Sequence, residues 1–133
     1  MNFKLIGAAT IGLGLVACTS TTNNTSLDSS RWYMSGEHYQ IADIALPAFT
    51  LEKNNSGYKV TGTTGCNRFF GQASLDNDVL IFQDGLASSR KSCGETANAI
   101  ESDFLQAAKY GFELKNAEFH LSSGAIMKQV PKS

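Results

Sequence analysis

From Arg31 onward the chain reads as short strands punctuated by turn-forming residues, and that punctuation limits what it can fold into. Residues 48–53 alternate around Phe49 and Leu51, Asn54-Asn55-Ser56-Gly57 follows, and residues 58–61 alternate again, which reads as a hairpin. Residues 73–75 and 79–82 flank Asp76-Asn77-Asp78, a trio whose side chains bond locally and favour turns. Residues 112–115 and 118–121 meet across Asn116-Ala117, and a last run at 125–130 follows Ser122-Ser123-Gly124. Turn signals about every eight to twelve residues argue for an antiparallel meander and against a parallel sheet. The expectation is an antiparallel sheet of about seven or eight short strands.

One stretch has a helical period instead. Ala97, Ile100, Phe104 and Ala108 recur at steps of three and four, with Thr96 placed to act as N-cap. Glu101 and Asp103 lie toward the start, Lys109 in the last turn, and Gly111 can stop the helix in left-handed backbone. A helix of about 14 residues should therefore cover one face of the sheet. The class is α+β, and no internal repeat is present.

The N-terminus reads as an address. Lys4 precedes an uncharged run of 13 small and apolar residues, 5–17, which is the form of a secretory signal. It is well short of the roughly 20 residues a membrane-crossing helix needs. Leu15-Val16-Ala17-Cys18 resembles the bacterial lipobox, whose cysteine is lipidated before cleavage leaves it as the first residue. That divides the chain into a signal peptide (1–17), a tether from lipidated Cys18 (18–30) and one domain (31–133). The tether holds one apolar residue, Leu27, among Thr, Ser and Asn. By the sorting rule for such lipoproteins, Asp after the cysteine retains a protein at the inner membrane. Thr19 stands there, so the expected destination is the outer membrane, with the domain facing the periplasm.

Lipidation also settles the cysteine count. Of three cysteines, Cys66 and Cys93 remain as an even pair, in a compartment where disulfides persist. Closing that loop of about 28 residues would add roughly 3–4 kcal/mol on the chain-entropy model. Two buried, unpaired thiols are the alternative. The net charge of −1 shows no basic stripe, so nucleic acid is not expected as a partner.

Three segments carry a family resemblance. Gly62, Gly65, Cys66, Asn67 and Gly71 within residues 60–71 match a Gly-x-x-Gly-Cys-Asn-x-x-x-Gly pattern, and residues 86–93 resemble a second block that ends on a cysteine. The acid-started helix from Glu101 and the closing hairpin at 119–126 complete the order. Together they resemble the META domain, the HslJ-like family of bacterial envelope proteins. The resemblance implies an antiparallel, partly closed sheet with one packed helix, an envelope setting, and association with heat shock and tolerance of some antibiotics. It implies no catalytic residue. The chain departs from the common pattern at Ser89-Arg90-Lys91-Ser92-Cys93, which is more polar than the Thr-x-Met-Ala-Cys ending of many members.

Little else points to chemistry. Ser88 and Lys91 fit Ser-x-x-Lys, where a lysine one helical turn on activates a serine, but the accompanying motifs are missing and the match reads as coincidence. His120, between Phe119 and Leu121, should face solvent, and His38 sits beside Glu37 without a second ligand, so no metal and no cofactor are expected. Asn67 reads as the residue holding the turn that aims Cys66 at Cys93. Gly62, Gly65 and Gly71 read as bends of a curved sheet. Arg68 and Phe70, with Arg90 and Lys91 drawn in by a disulfide, form the candidate binding patch if one of Phe69 and Phe70 points outward; otherwise both rings are buried. The functional expectation is a non-enzymatic outer-membrane lipoprotein, anchored by its lipid, that serves envelope stress tolerance or secretion support by binding an envelope partner. An inhibitor or pilotin-like module and a hydrophobic-ligand carrier are the alternatives.

Overall fold

The computed structural model describes residues 27–39 and 44–131; the signal peptide, Cys18 and residues 19–26 lie outside the described residues. The strands are β1 (Ser30–Met34), β2 (Ala48–Asn54), β3 (Gly57–Thr63), β4 (Arg68–Asp76), β5 (Val79–Phe82), β6 (Ala87–Ser88), β7 (Phe112–Lys115), β8 (Glu118–His120) and β9 (Ile126–Gln129). One helix, α1 (Glu95–Tyr110), enters between β6 and β7, and a 3-10 turn spans Gly36–His38. Each strand pairs antiparallel with its chain neighbours, β5 passing on to β7, and β9 returns to β1. Eight strands thus close into an up-and-down barrel, with β6 as a ninth segment on β4. The expected α+β class with an antiparallel sheet and one packed helix is what the structure has, and the sheet that the resemblance implies to be partly closed is fully closed. Closure satisfies the backbone groups that open edges would leave bare.

Local chemistry accounts for the turns. Asn77-Asp78 and Asn116-Ala117 each have two consecutive residues at positive φ, from 52° to 65°. Two-residue hairpin loops of this kind match the right-handed twist of their strands. The first β2–β3 pair is Asn54 with Gly57, at the expected turn.

The interior is aromatic. Trp32, Phe49, Phe69, Phe82, Phe112 and Phe119 point inward from six strands, with ring centroids 4.4–6.2 Å apart. Phe104 of α1 enters the same cluster, 5.5–6.2 Å from Phe49, Phe69, Phe82 and Phe112. The helix therefore plugs the barrel with a ring, as well as covering sheet. The space a carried hydrophobic ligand would need is filled there by side chains. Burying each ring is worth about 1.5–3 kcal/mol, which makes this cluster the main stabilising unit.

Two helix details differ from expectation. The helix has 16 residues and starts at Glu95, with Gly94 as N-cap and no side-chain cap bond, so Thr96 lies inside the first turn. Gly94 takes the cap because its φ of 100° lets the chain swing straight from Cys93 into the helix. Gly111 does end it, its N–H bonded to Ala107 O. At the other end of the domain, packing begins before Arg31: Leu27 is buried, and Ser30 bridges Leu27 O and Trp32 Nε1.

Candidate functional site

The Gly-Cys-Asn turn between β3 and β4 is built around a hydroxyl and an amide. Thr64 Oγ1 accepts the N–H of Asn67 at 2.8 Å and that of Cys66 at 3.3 Å, and donates to Glu101 Oε2 at 2.5 Å. Asn67 is 4% exposed and uses both ends of its side chain. Its Nδ2 donates to Lys91 O at 3.1 Å and to Glu101 Oε2 at 2.8 Å. Its Oδ1 accepts from Lys91 N at 2.7 Å and from Ser89 Oγ at 3.0 Å. One residue thus ties the β3–β4 turn, the segment after β6 and helix α1 together. A buried amide with all four bonds made is stable; with any missing it would be costly.

The disulfide adds a covalent tie at the same place. Cys66 and Cys93 are bridged with their Cα atoms 5.8 Å apart. Residues 89–93, the polar departure from the family pattern, run exposed and without regular structure between β6 and α1. Their main chain is held by Asn67 and the disulfide, which leaves their side chains free to be polar.

The glycines make room for neighbours. A Cβ on Gly71 would lie 2.7 Å from Leu86 Cδ1, so Leu86 occupies the space that a side chain there would take. This is where the partner of β4 changes. Ala73 pairs with Phe82 but Phe69 with Ser88, so four steps on β4 face six on the other chain, and the excess bulges out with Leu86 folded inward. Gly65 has a φ of 94° and lies against Ala45 O, and Gly62 lies against the backbone of Ala48 and Phe49.

Phe69 and Phe70 face opposite ways: Phe69 is 2% exposed and Phe70 60%. Arg68 shares the outward phase with Phe70, and both line a depression of about 490 Å³ with Thr61 and Ala87. Arg90 and Lys91 are not on this face. They line a second depression of about 540 Å³, between β6 and α1, with Leu86, Glu101 and Leu105. The expected single patch is therefore two neighbouring sites that share Ser88 and Ser89.

The strand register shows how far the first face extends. In one row across the barrel wall stand Tyr33, Ala48, Thr63 and Arg68, and in the next Arg31, Thr50, Thr61, Phe70 and Ala87. From β1 to β4 these rows hold two arginines and two exposed aromatics, and beyond Tyr33 the first row continues through Lys128 to Glu118. Sequence reading found Arg68 and Phe70 but not Arg31 and Tyr33, because three successive strand registers bring them together.

The remaining candidates are placed as follows. Ser88 lies in a two-residue strand, and its Oγ donates to Ser89 O, so the helical spacing that Ser-x-x-Lys chemistry needs does not exist. His120 points out of the barrel but is half-buried, with a covered Nε2 that makes no hydrogen bond and lies 3.8 Å from Glu118 Oε1. Glu37 lies 3.9 Å from Lys128 Nζ, and His38 packs edge-on against Tyr39. Tyr39, half-buried, donates its hydroxyl to Asp103 on α1. Burial, then the Asp103 carboxylate, raises its pKa well above the usual phenol range. Among the described residues no cluster of three His, Cys, Asp or Glu side chains is placed to hold a metal, and no helix is long and apolar enough to cross a membrane.

A family model for the META domain matches residues 25–125, spanning the Gly-Cys-Asn turn, the disulfide and the helix. The chain belongs to the META domain family. The fold of this META domain recurs in solved structures. One is the NMR structure of a protein from Burkholderia xenovorans, 18% identical, with a TM-score of 0.54 and covering 92% of this chain and 100% of its own. Another NMR structure is 20% identical, with a TM-score of 0.57 and covering 76% of this chain and 88% of its own. At these identities the likeness is one of fold. No curated protein matches.

Proposed function

We propose that this META domain acts by binding rather than catalysis, as a lipoprotein held to the outer membrane through Cys18, facing the periplasm and serving tolerance of envelope stress. The lipid anchor is supported by the sequence of residues 1–18, with its basic start, uncharged run and Leu-Val-Ala-Cys ending. Thr19 supports delivery to the outer membrane. The META family is generally non-enzymatic, which supports the binding role.

One observation carries the binding reading: the two-row face in which Phe70 and Tyr33 stand exposed between Arg31 and Arg68. Aromatic and arginine side chains dominate interface energetics, and burying a Phe returns about 1.5–3 kcal/mol. Threonines and Ala48 between them keep the wall low. The partner that fits is an envelope protein presenting acidic side chains around an apolar one.

A photocrosslinking residue in place of Phe70, in the lipidated protein in its native envelope, should give a discrete protein adduct. The same residue at Ser122, in the exposed turn between β8 and β9, should not, and Arg68→Glu should abolish the adduct at position 70. No adduct at Phe70, or equal adducts at both positions, refutes this face. Intact mass without an acyl addition at Cys18 refutes the anchor.

A further inference from the structure

The barrel has one unpaired strand edge among the described residues, and it borders a groove. β6 is bonded to β4 on one side and stands last in the strand order on the other. Ser89 N–H donates to Arg68 O at 3.1 Å. In an antiparallel ladder such bonds alternate, so in the next pair, Phe69 with Ser88, the main-chain groups point away from the partner strand. The N–H and C=O of Ser88 therefore point away from β4, toward the second depression. In a closed barrel this is an exception, because every other strand has a neighbour on both sides.

The groove beside that edge has apolar walls and charged ends. Leu86 and Leu105, both half-buried, line the depression at Ser88 and also a smaller one of about 220 Å³ that continues toward Asp84 and Lys109. At the Ser88 end Arg90 and Lys91 are exposed. The acid there, Glu101, already accepts from Thr64 and Asn67. An unpaired edge, an apolar floor and cations at one end together select an extended chain.

We propose that the β6 edge is a docking site for an extended peptide segment of a protein partner, added as an antiparallel or parallel strand with main-chain bonds to Ser88. Its alternate residues place an apolar side chain between Leu86 and Leu105 and an acidic one at Arg90 and Lys91. This site adjoins the Phe70 face and shares Ser88 and Ser89 with it, but the outward main chain of Ser88 and the Leu86–Leu105 groove belong to it alone, so either reading can fail without the other.

Ser88 allows a sharp test. Its N–H makes no bond to β4, so Ser88→Pro removes the free donor and leaves the β4 ladder intact, whereas Ser88→Ala removes only the hydroxyl. Randomised octapeptides displayed on phage would be selected on the full chain, and the enriched peptides synthesised and measured by fluorescence polarisation and amide shift mapping. The expected winners alternate, with a Leu- or Val-like residue two positions from an Asp or Glu, and shift the amides of Leu86, Ser88 and Leu105. Ser88→Pro should weaken binding at least tenfold, Ser88→Ala less than twofold, and Lys91→Glu several-fold with reduced salt dependence. If Ser88→Pro loses its dispersed amide spectrum, Leu105→Lys blocks the groove from the helix side and should produce the same tenfold loss. Absence of enriched peptides, shifts centred on Phe70 and Tyr33, or equal binding by the Pro and Ala variants overturns the proposal. Concentration-dependent dimerisation through the β6 amides also overturns it, by assigning the edge to a second copy of the chain.

Discussion

Asn67→Asp changes one atom pair in the buried junction and keeps its shape. The acceptor side survives, because an aspartate oxygen still receives Ser89 Oγ–H and Lys91 N–H. The donor side inverts. Where Nδ2 gives hydrogens to Glu101 Oε2 at 2.8 Å and Lys91 O at 3.1 Å, a carboxylate oxygen would meet two acceptors. The lost charge-assisted bond is worth about 1.5–3 kcal/mol. Two negative charges at this separation repel by several kcal/mol at an effective dielectric of about 20, reduced here because Glu101 is only half-buried. The expected loss at neutral pH is about 3–5 kcal/mol, a large share of the roughly 5–15 kcal/mol that holds a domain together. Asn67→Ala loses the bonds without the repulsion and should cost about 2–3 kcal/mol. Acidification separates the two variants. A shared proton turns the facing carboxyls into an O–H···O pair, so the folded Asp variant binds a proton more readily than its unfolded chain, and its deficit narrows as pH falls toward about 4. The deficit of the Ala variant stays nearly flat. Urea unfolding followed by the fluorescence of buried Trp32, the only tryptophan, measures both. If the Asp variant matches the Ala variant at neutral pH and shows no narrowing in acid, Asn67 does not face Glu101 and the junction is misread.

Replacing both Cys66 and Cys93 by Ser should lower stability by about 3–4 kcal/mol, read as a lower urea midpoint, while the amide spectrum stays folded because Asn67 still holds residues 89–91. Ala117→Gly should stabilise by about 0.5 kcal/mol, since an alanine at φ 62° carries left-handed strain that glycine lacks, less the entropy glycine adds to the unfolded chain; a lower midpoint contradicts the turn assignment. Ultraviolet titration should show one of the four tyrosines ionising well above the others, and Tyr39→Phe should remove that step. Because folding raises this phenol, its contribution is complete below the ordinary tyrosine pKa of about 10 and is lost as pH climbs through the folded value. Wild-type stability should therefore fall more steeply than that of Tyr39→Phe in strong base.

What was legible in the sequence was local. The hairpins at Asn54-Gly57, Asn77-Asp78 and Asn116-Ala117 were visible because Asn and Gly report their own backbone preference. The helix stripe of Ala97, Ile100, Phe104 and Ala108 was visible because its period is unlike that of a strand, and all four residues are buried. The start of β4 was missed: Arg68-Phe69-Phe70-Gly71 does not alternate by hydrophobicity, since Phe70 faces out. β6 was missed because two residues carry no pattern. Closure itself was read only as partial, for it depends on β9 finding β1 across almost the whole chain, which no window of sequence expresses.

The junction and the binding faces differ in the same way. Asn67 and the two cysteines were legible because buried polar and covalent ties demand particular residue types at particular places. Glu101 and Thr64 complete that junction but look like ordinary helix and turn residues until the fold brings them within 2.5 Å. Arg31, Tyr33, Arg68 and Phe70 lie 39 positions apart in sequence at most, yet form one face only because three successive registers align them. A one-residue slip at any of those pairings would turn Phe70 inward or separate it from Arg31 and Tyr33. Gly62 bears on this directly, because a side chain there would strike Ala48 O and Phe49 and force β2 and β3 apart. Gly62→Val should therefore disturb the face through the register, before any contact with a partner is involved.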